Sequence, residues 1–275
     1  EVEIMSYVPI RKKLGNKRWF EELKKAYKNF LFDNDAWKYN FENENKQPKG
    51  QDIEARYLSQ YFFSRLIELV DNSISVEITD KRYMFLFVDG NKYEYHFDVM
   101  NNPKAKHIFS KSIKESCLSE WEEWSGKRYH TIGNFTPIPW PALEYGSVNM
   151  QNIHSAFDER WDLFLKYCQR DWNKIYDYSE IDFTHYMKIT CQEMYYVEVF
   201  QSLKDTYPNK DIEGLSDNEI LLWYDSIQNR DLKNKELISF AQDLQNDVRI
   251  INNLSALRGR LMITISKRKE QYSIR

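Results

Sequence analysis

Chemistry-capable side chains crowd one stretch of this sequence, residues 104 to 172. It holds Lys106-His-Ile-Phe-Ser-Lys-Ser112, then Tyr129-His-Thr-Ile-Gly-Asn-Phe-Thr-Pro-Ile-Pro139, then Asn149, Asn152 and Phe157-Asp-Glu-Arg160. Imidazoles exchange protons near neutral pH or ligate metals, and amide side chains both donate and accept hydrogen bonds. Gly133-Asn134 reads as a turn that needs positive φ, with the Asn side chain tying its backbone. Trp121, Trp124 and Trp140 flank this turn and offer either a ligand pocket or packing of the loop on a helix. His130 and His154 read first as satisfied polar residues. The phosphate-loop, dinucleotide, nucleophile-elbow and HExxH signatures are absent, and no Cys/His cluster has metal spacing. With 42 Asp and Glu in the chain, chance carboxylate pairs abound and no acid/base couple stands out.

The elements that must position these residues come from periodicity. Trp19, Phe20, Leu23, Tyr27, Phe30 and Leu31 recur at helical spacing and predict a helix over 17 to 32. The polar run 40 to 50 reads as a loop, and a second helix is expected over 51 to 70. Residues 74 to 99 are β-rich and contain Asp89-Gly90, a pair that tolerates the positive φ of a tight hairpin. They predict a three-stranded meander. On its last strand Tyr93, Tyr95 and Phe97 share one face and Lys92, Glu94 and His96 the other, which turns His96 toward solvent.

A short helix is expected over 113 to 124, and an extended, irregular stretch over 133 to 146, where Pro137, Pro139 and Pro141 forbid a continuous helix. Phe157, Trp161, Phe164, Leu165, Cys168 and Trp172 form one stripe and predict a helix over 152 to 172, with Asp158, Asp162, Lys166 and Arg170 off the stripe. Glu159, Arg160 and Asp162 then read as an exposed ion-pair cluster. Further helices are expected over 181 to 206, 217 to 228, 233 to 250 and 254 to 269, the second opening on the capping box Ser216-Asp-Asn-Glu219. The fold class is α+β, predominantly helical with a small three-stranded antiparallel β-meander. One composite domain spans 1–275, with sub-regions 1–103, 104–175 and 176–275.

Composition agrees with this class. Hydrophobic residues make up 42% of the chain and aromatics 16%, enough to fill a core, and only 8 Gly and 7 Pro argue for long helices over a turn-dense β fold. Cys117, Cys168 and Cys191 form no CxxC pair and leave one thiol over, which favours a reducing, cytoplasmic setting. No apolar run approaches 18 residues, so no membrane association is expected. The net charge of -3 hides basic ends. Residues 11 to 28 carry eight Lys/Arg against two Glu, and residues 254 to 275 carry six against one. Lys12, Lys13 and Arg18 are thus candidate contacts to phosphates or an acidic partner, with solvated helix faces as the plainer reading.

The order of the chemistry-bearing motifs resembles the restriction-type HNH (ββα-metal) nucleases. Their pattern is acidic-His-Ile-x-Pro, then His-x-(Ile/Leu)-Gly-Asn-Leu-Thr-Leu-Leu, then Asn, then Phe-x-x-Lys. Here it covers about 55 residues. The resemblance implies His107 or His130 as general base, Asn134 with Asn149 or Asn152 as orienting residues, and Mg²⁺ or another divalent ion at the scissile phosphate. Lys106 stands where that family has its acidic ligand, Ser110 replaces its Pro, and Arg160 replaces its Lys. A cation repels Mg²⁺ and offers no oxygen, so the implied site is degenerate.

The same segment is similar to an uncharacterised bacterial family with a Tyr-Thr-Ile-Gly element, a Pro, an Asn and an Asp-Arg-Phe-Asp-Leu-Thr-Leu helix. The matching residues are Thr131-Ile-Gly133, Pro139, Asn149 and Glu159-Arg-Trp-Asp-Leu-Phe-Leu165. This likeness accounts for Arg160 and Asp162 without a nuclease and carries no assigned activity. The leading expectation is a bacterial or phage interaction protein whose basic helices or central loop contact a protein or nucleic acid without turnover and without a cofactor; the host-phage conflict setting is what the family likeness implies. Arg160, Trp124, Trp140, Lys12, Lys13 and Arg18 are its candidate contact residues. A metal-dependent HNH-like nuclease and a small-molecule or nucleotide sensor using the aromatic loop are the alternatives.

Overall fold

In the computed structural model, which describes residues 16–39, 41, 57–78, 83–100, 119, 130–140, 161–175, 180–240 and 244–273, the stripe Leu23, Tyr27, Phe30 and Leu31 is the buried side of helix α1 (Asn16–Phe32). Helix α2 (Tyr57–Val70) buries Leu58, Phe62, Phe63, Leu66 and Ile67. That apolar surface is wide enough to pack in two directions. Phe62 meets Phe30 of α1 edge-on at 5.9 Å, and Phe63 meets Phe97 of the sheet at 5.5 Å.

The sheet begins as the expected meander. Strands β1 (Ser75–Ile78), β2 (Tyr83–Val88) and β3 (Asn91–Val99) pair antiparallel in succession. Asp89 and Gly90 take φ of 48° and 83°, the conformation their types tolerate best. Met84, Leu86, Val88, Tyr95, Phe97 and Val99 are buried on the inner face, while Phe85, Phe87, Lys92, Glu94 and His96 lie on the other. A fourth strand, β4 (Phe135–Pro139), extends the order to β1-β2-β3-β4. Part of the stretch expected to be extended and irregular, Phe135–Pro139, is therefore a strand of the sheet. Its prolines exclude a helix but not an edge strand: Pro137 and Pro139 are two residues apart, so both missing N–H groups fall on the side away from β3.

The C-terminal half departs from the expectation three times. In place of one helix over 181 to 206 there are two, α4 (Phe183–Ile189) and α5 (Val197–Thr206), after α3 (Trp161–Ile175). Between α4 and α5, Cys191 turns the chain at φ 51°, and Glu193–Tyr195 form a single 3-10 turn. Helix α6 (Asp217–Ile227) starts on its capping box as expected. Residues 228 to 240 are then not helical. Their apolar side chains serve a strand-like crossing in which Val197 N donates to Glu236 O and Ile238 N to Tyr195 O.

The two helices expected at the end are one, α7 (Leu244–Ser273). It is buried on every side from Leu254 to Ser266, as a helix central to a core must be. Among the described residues, no helix is long and apolar enough to cross a membrane.

Helix α7 crosses the 3-10 turn Ile132–Asn134 at the closest approach in this part of the fold. Gly133 does not have the positive φ expected of it. Its requirement is steric: a Cβ there would sit 1.9 Å from Ser255 O and 2.8 Å from Gly259 N. Gly133→Ala is expected to lose about 3 kcal/mol of unfolding free energy in urea titrations, because the helix backbone cannot yield as a flexible side chain would.

Candidate functional site

Arg258 lies on α7 in the stripe of Leu254 and Leu261, so helical geometry aims it into the core, where it is 0% exposed. A guanidinium has five N–H donors, and all are used. Nε donates to Thr190 O at 3.0 Å and Nη2 to the same oxygen at 2.7 Å. Nη1 donates to Gly133 O at 3.0 Å and to Phe135 O, and Nη2 reaches Thr136 Oγ1 at 3.3 Å. Burial lowers its pKa to about 10, which still leaves it charged at neutral pH. The direct partners are neutral oxygens. Thr190 O is a C-terminal carbonyl of α4, where the helix dipole supplies partial negative charge.

Gln192 extends the network. Its Nε2 donates to Thr190 Oγ1 at 2.8 Å, Thr136 Oγ1 at 3.1 Å and Tyr186 OH at 3.3 Å, while Oε1 accepts from Trp161 Nε1 at 3.1 Å. Tyr186 OH in turn donates to Pro137 O at 3.1 Å. One connected set of bonds therefore joins β4, α3, α4 and α7. Beside it, Glu193 is 4% exposed, and burial raises its carboxyl pKa to about 8, with a hydrogen bond from Gln228 and the charges of Lys188 and Arg258 acting the other way. Its Oε2 has no hydrogen-bond partner among the described residues.

Of the sequence-predicted site residues, Arg18, His130, Asn134 and Trp140 are among those described. His107, Trp124, Asn149, Arg160, Lys12 and Lys13 lie outside the described residues, as does the expected helix over 113 to 124 apart from Ser119. His130 is 4% exposed, with its ring on Phe135 at 6.1 Å and its carbonyl accepting from Phe41 N. Asn134 is 0% exposed; its backbone N–H donates to Thr131 O and its backbone carbonyl accepts from Met100 N at 2.7 Å. Both belong to the core that seats the turn. Trp140 is half-buried and stacks on His96 at 3.9 Å.

Asp162 is a correction. It is 1% exposed and accepts the Phe240 amide at 3.1 Å, so it is buried and anchors the crossing segment, while Glu159 and Arg160 lie outside the described residues. Among the described residues no group of three or more His, Cys, Asp or Glu is placed to hold a metal ion. Compared with known proteins, the chain matches no family model, no curated protein and no solved structure.

The basic C-terminal run is a second correction. Arg258 is internal, and Arg260, 7% exposed, donates to Ile212 O, Leu215 O and Asp217 Oδ1. Arg268 grips Asp225 with both Nη atoms at 2.8 and 2.9 Å, and Lys269 donates to Leu69 O. These cations staple α7 to its neighbours and do not form a solvated face. Sequence reading missed Arg258 although a signal exists: an arginine at the stripe position between Leu254 and Leu261 has no route to solvent.

Two outcomes follow from the buried charges. Arg258→Met is expected to cost about 3 kcal/mol or more in chemical denaturation, since it leaves the carbonyls of Gly133, Phe135 and Thr190 unpaired. Arg258→Lys recovers only part of that, because one ammonium cannot span β4 and the end of α4. For Glu193, a folded pKa of about 8 lies above the ordinary 4.5, so the folded state holds its proton longer than the unfolded chain does. Its contribution to stability is therefore present below the unfolded pKa and is lost as pH rises toward 8. Glu193→Gln is expected to match the parent near pH 4 and to exceed it by a few kcal/mol at pH 8, read from paired urea titrations.

Proposed function

We propose that this chain is an interaction protein that holds an acidic macromolecular partner without turning it over, and that the exposed side of α1 is part of its contact surface. The observation that carries this reading is a line of unengaged cations. Arg18, Lys25 and Lys28 are exposed and, at spacings of seven and three residues, lie along one side of the helix. Among the described residues none of the three has an ion-pair partner, whereas their neighbour Lys24 is held by Glu21 at 3.3 Å. Cations left unpaired while Arg258, Arg260, Arg268 and Lys269 of α7 are held by neighbouring elements supply free charge for a partner.

The likeness of Thr131-Ile-Gly133 and its neighbours to a bacterial family extends the proposal to a bacterial or phage protein of host-phage conflict. The nuclease alternative has its own readout, metal-dependent cutting of plasmid DNA or RNA that His107→Ala abolishes.

Fluorescence anisotropy with a labelled DNA duplex, a labelled RNA and a labelled polyglutamate tests the proposal across the acidic partner classes. Tight binding to at least one of them is expected, weakening as salt rises. The variant R18E/K25E/K28E is expected to lose roughly tenfold or more in affinity at low salt with an unchanged melting temperature. Undiminished binding by that variant, or no binding to any of the probes, overturns the assignment of α1.

A further inference from the structure

The outer face of the sheet carries a second set of groups that the basic side of α1 does not involve. Register places Glu77, Phe85 and Glu94 opposite one another on β1, β2 and β3, so the Phe85 ring stands between two carboxylates on the same face. Phe87 and Lys92 form the next rung. Glu77 and Lys92 are exposed, and Phe85, Phe87, Glu94 and His96 are partly exposed, while their strand neighbours point into the core.

One cation already occupies this surface. The Lys92 ammonium lies 3.5 Å from the Phe85 ring centroid and 6.0 Å from that of Phe87. Next to it, the His96 ring is stacked against Trp140 at 3.9 Å, with Nε2 2.8 Å from Glu94 Oε1. Aromatic faces carry negative quadrupole potential, and carboxylates beside them add to it, so this rung attracts positive charge and repels phosphate.

We infer that the outer face of the sheet docks a basic peptide segment of a partner, seating an arginine or lysine side chain over Phe85 between Glu77 and Glu94. Charge complementarity selects this occupant: two carboxylates flank the ring, and the cation resident there comes from the chain itself. Lys92 is then a competitor. Its ammonium covers the ring that the incoming side chain requires, and its charge opposes the approach. An internal cation that blocks its own seat sets the affinity low and makes it adjustable through one side chain. The surface is distinct from α1, and the two bind opposite charges.

The test is titration of the full chain with a fluorescein-labelled oligo-arginine peptide, followed by anisotropy at low salt. E77Q/E94Q keeps the shape and removes the charge; it is expected to weaken binding about tenfold or more. Phe85→Leu is expected to weaken it roughly threefold to tenfold. Lys92→Ala is expected to tighten binding by about threefold, a direction that a merely structural lysine would not produce. Asp205→Asn, on exposed α5, serves as a control for generic attraction and is expected to leave the affinity unchanged. Melting curves on each variant separate lost binding from lost folding. The inference is overturned if the peptide does not bind, if E77Q/E94Q and Lys92→Ala match the parent, or if Asp205→Asn weakens binding as much as E77Q/E94Q does. Concentration-dependent self-association without peptide, abolished by E77Q/E94Q in sedimentation, overturns it as well by assigning the face to a second copy of the chain.

Discussion

A charged guanidinium held in the core with only neutral oxygens as its direct partners constrains everything around it. Removing such a cation from water is costly unless each donor finds an acceptor. Arg258 meets that condition only because the carbonyls of Gly133 and Phe135, the Thr136 hydroxyl and the last carbonyl of α4 converge on one point. The fork geometry of the guanidinium fixes the directions of those groups, and so fixes how the β4 turn, the end of α4 and the middle of α7 sit against one another. Apolar packing supplies most of the driving force in such a core, but it is non-directional. The directional bonds at this junction select the arrangement.

Several features that look unrelated in the sequence serve this junction. The absence of a side chain at Gly133 lets the turn and the helix approach closely enough for Arg258 to reach over. Cys191 at positive φ and the 3-10 turn after it bring Gln192 back under Thr190, where its amide ties Trp161, Thr136 and Tyr186 together. The Thr131-Ile-Gly133 element, read first as the centre of a chemical motif, thus has a structural account. Its glycine is needed for a backbone crossing, and its neighbours His130 and Asn134 are enclosed by the same packing.

Arg258, Arg260, Arg268 and Lys269 of α7 bond to neighbouring elements, so the two basic ends of the sequence differ: these four hold the molecule together, whereas Arg18, Lys25 and Lys28 of α1 are exposed. The sheet divides in a similar way. Its inner face is core, covered by α2 and by Tyr186 of α4, which stacks on Tyr95 at 6.2 Å. Its outer face keeps aromatic rings and carboxylates within reach of solvent. Opposite charges on separate faces suit a chain that makes more than one contact.

Local pattern accounts for what the sequence by itself determined. The helix of residues 17 to 32, the Asp89-Gly90 hairpin, the inward side of β3 and the capping box of α6 each depend on neighbours a few residues apart, and all are present. Long-range partners decided the rest. Nothing in Phe135–Pro139 announces a strand until β3 lies alongside to pair with it. Asp162 and Arg258 looked like solvent residues because their types are polar, and only the carbonyls and amides brought to them from distant segments make burial tolerable. The break at Cys191 and the fusion of two expected helices into α7 have the same origin. Periodicity reports which face of an element is apolar, whereas the identity of the groups that meet it is a property of the assembled chain.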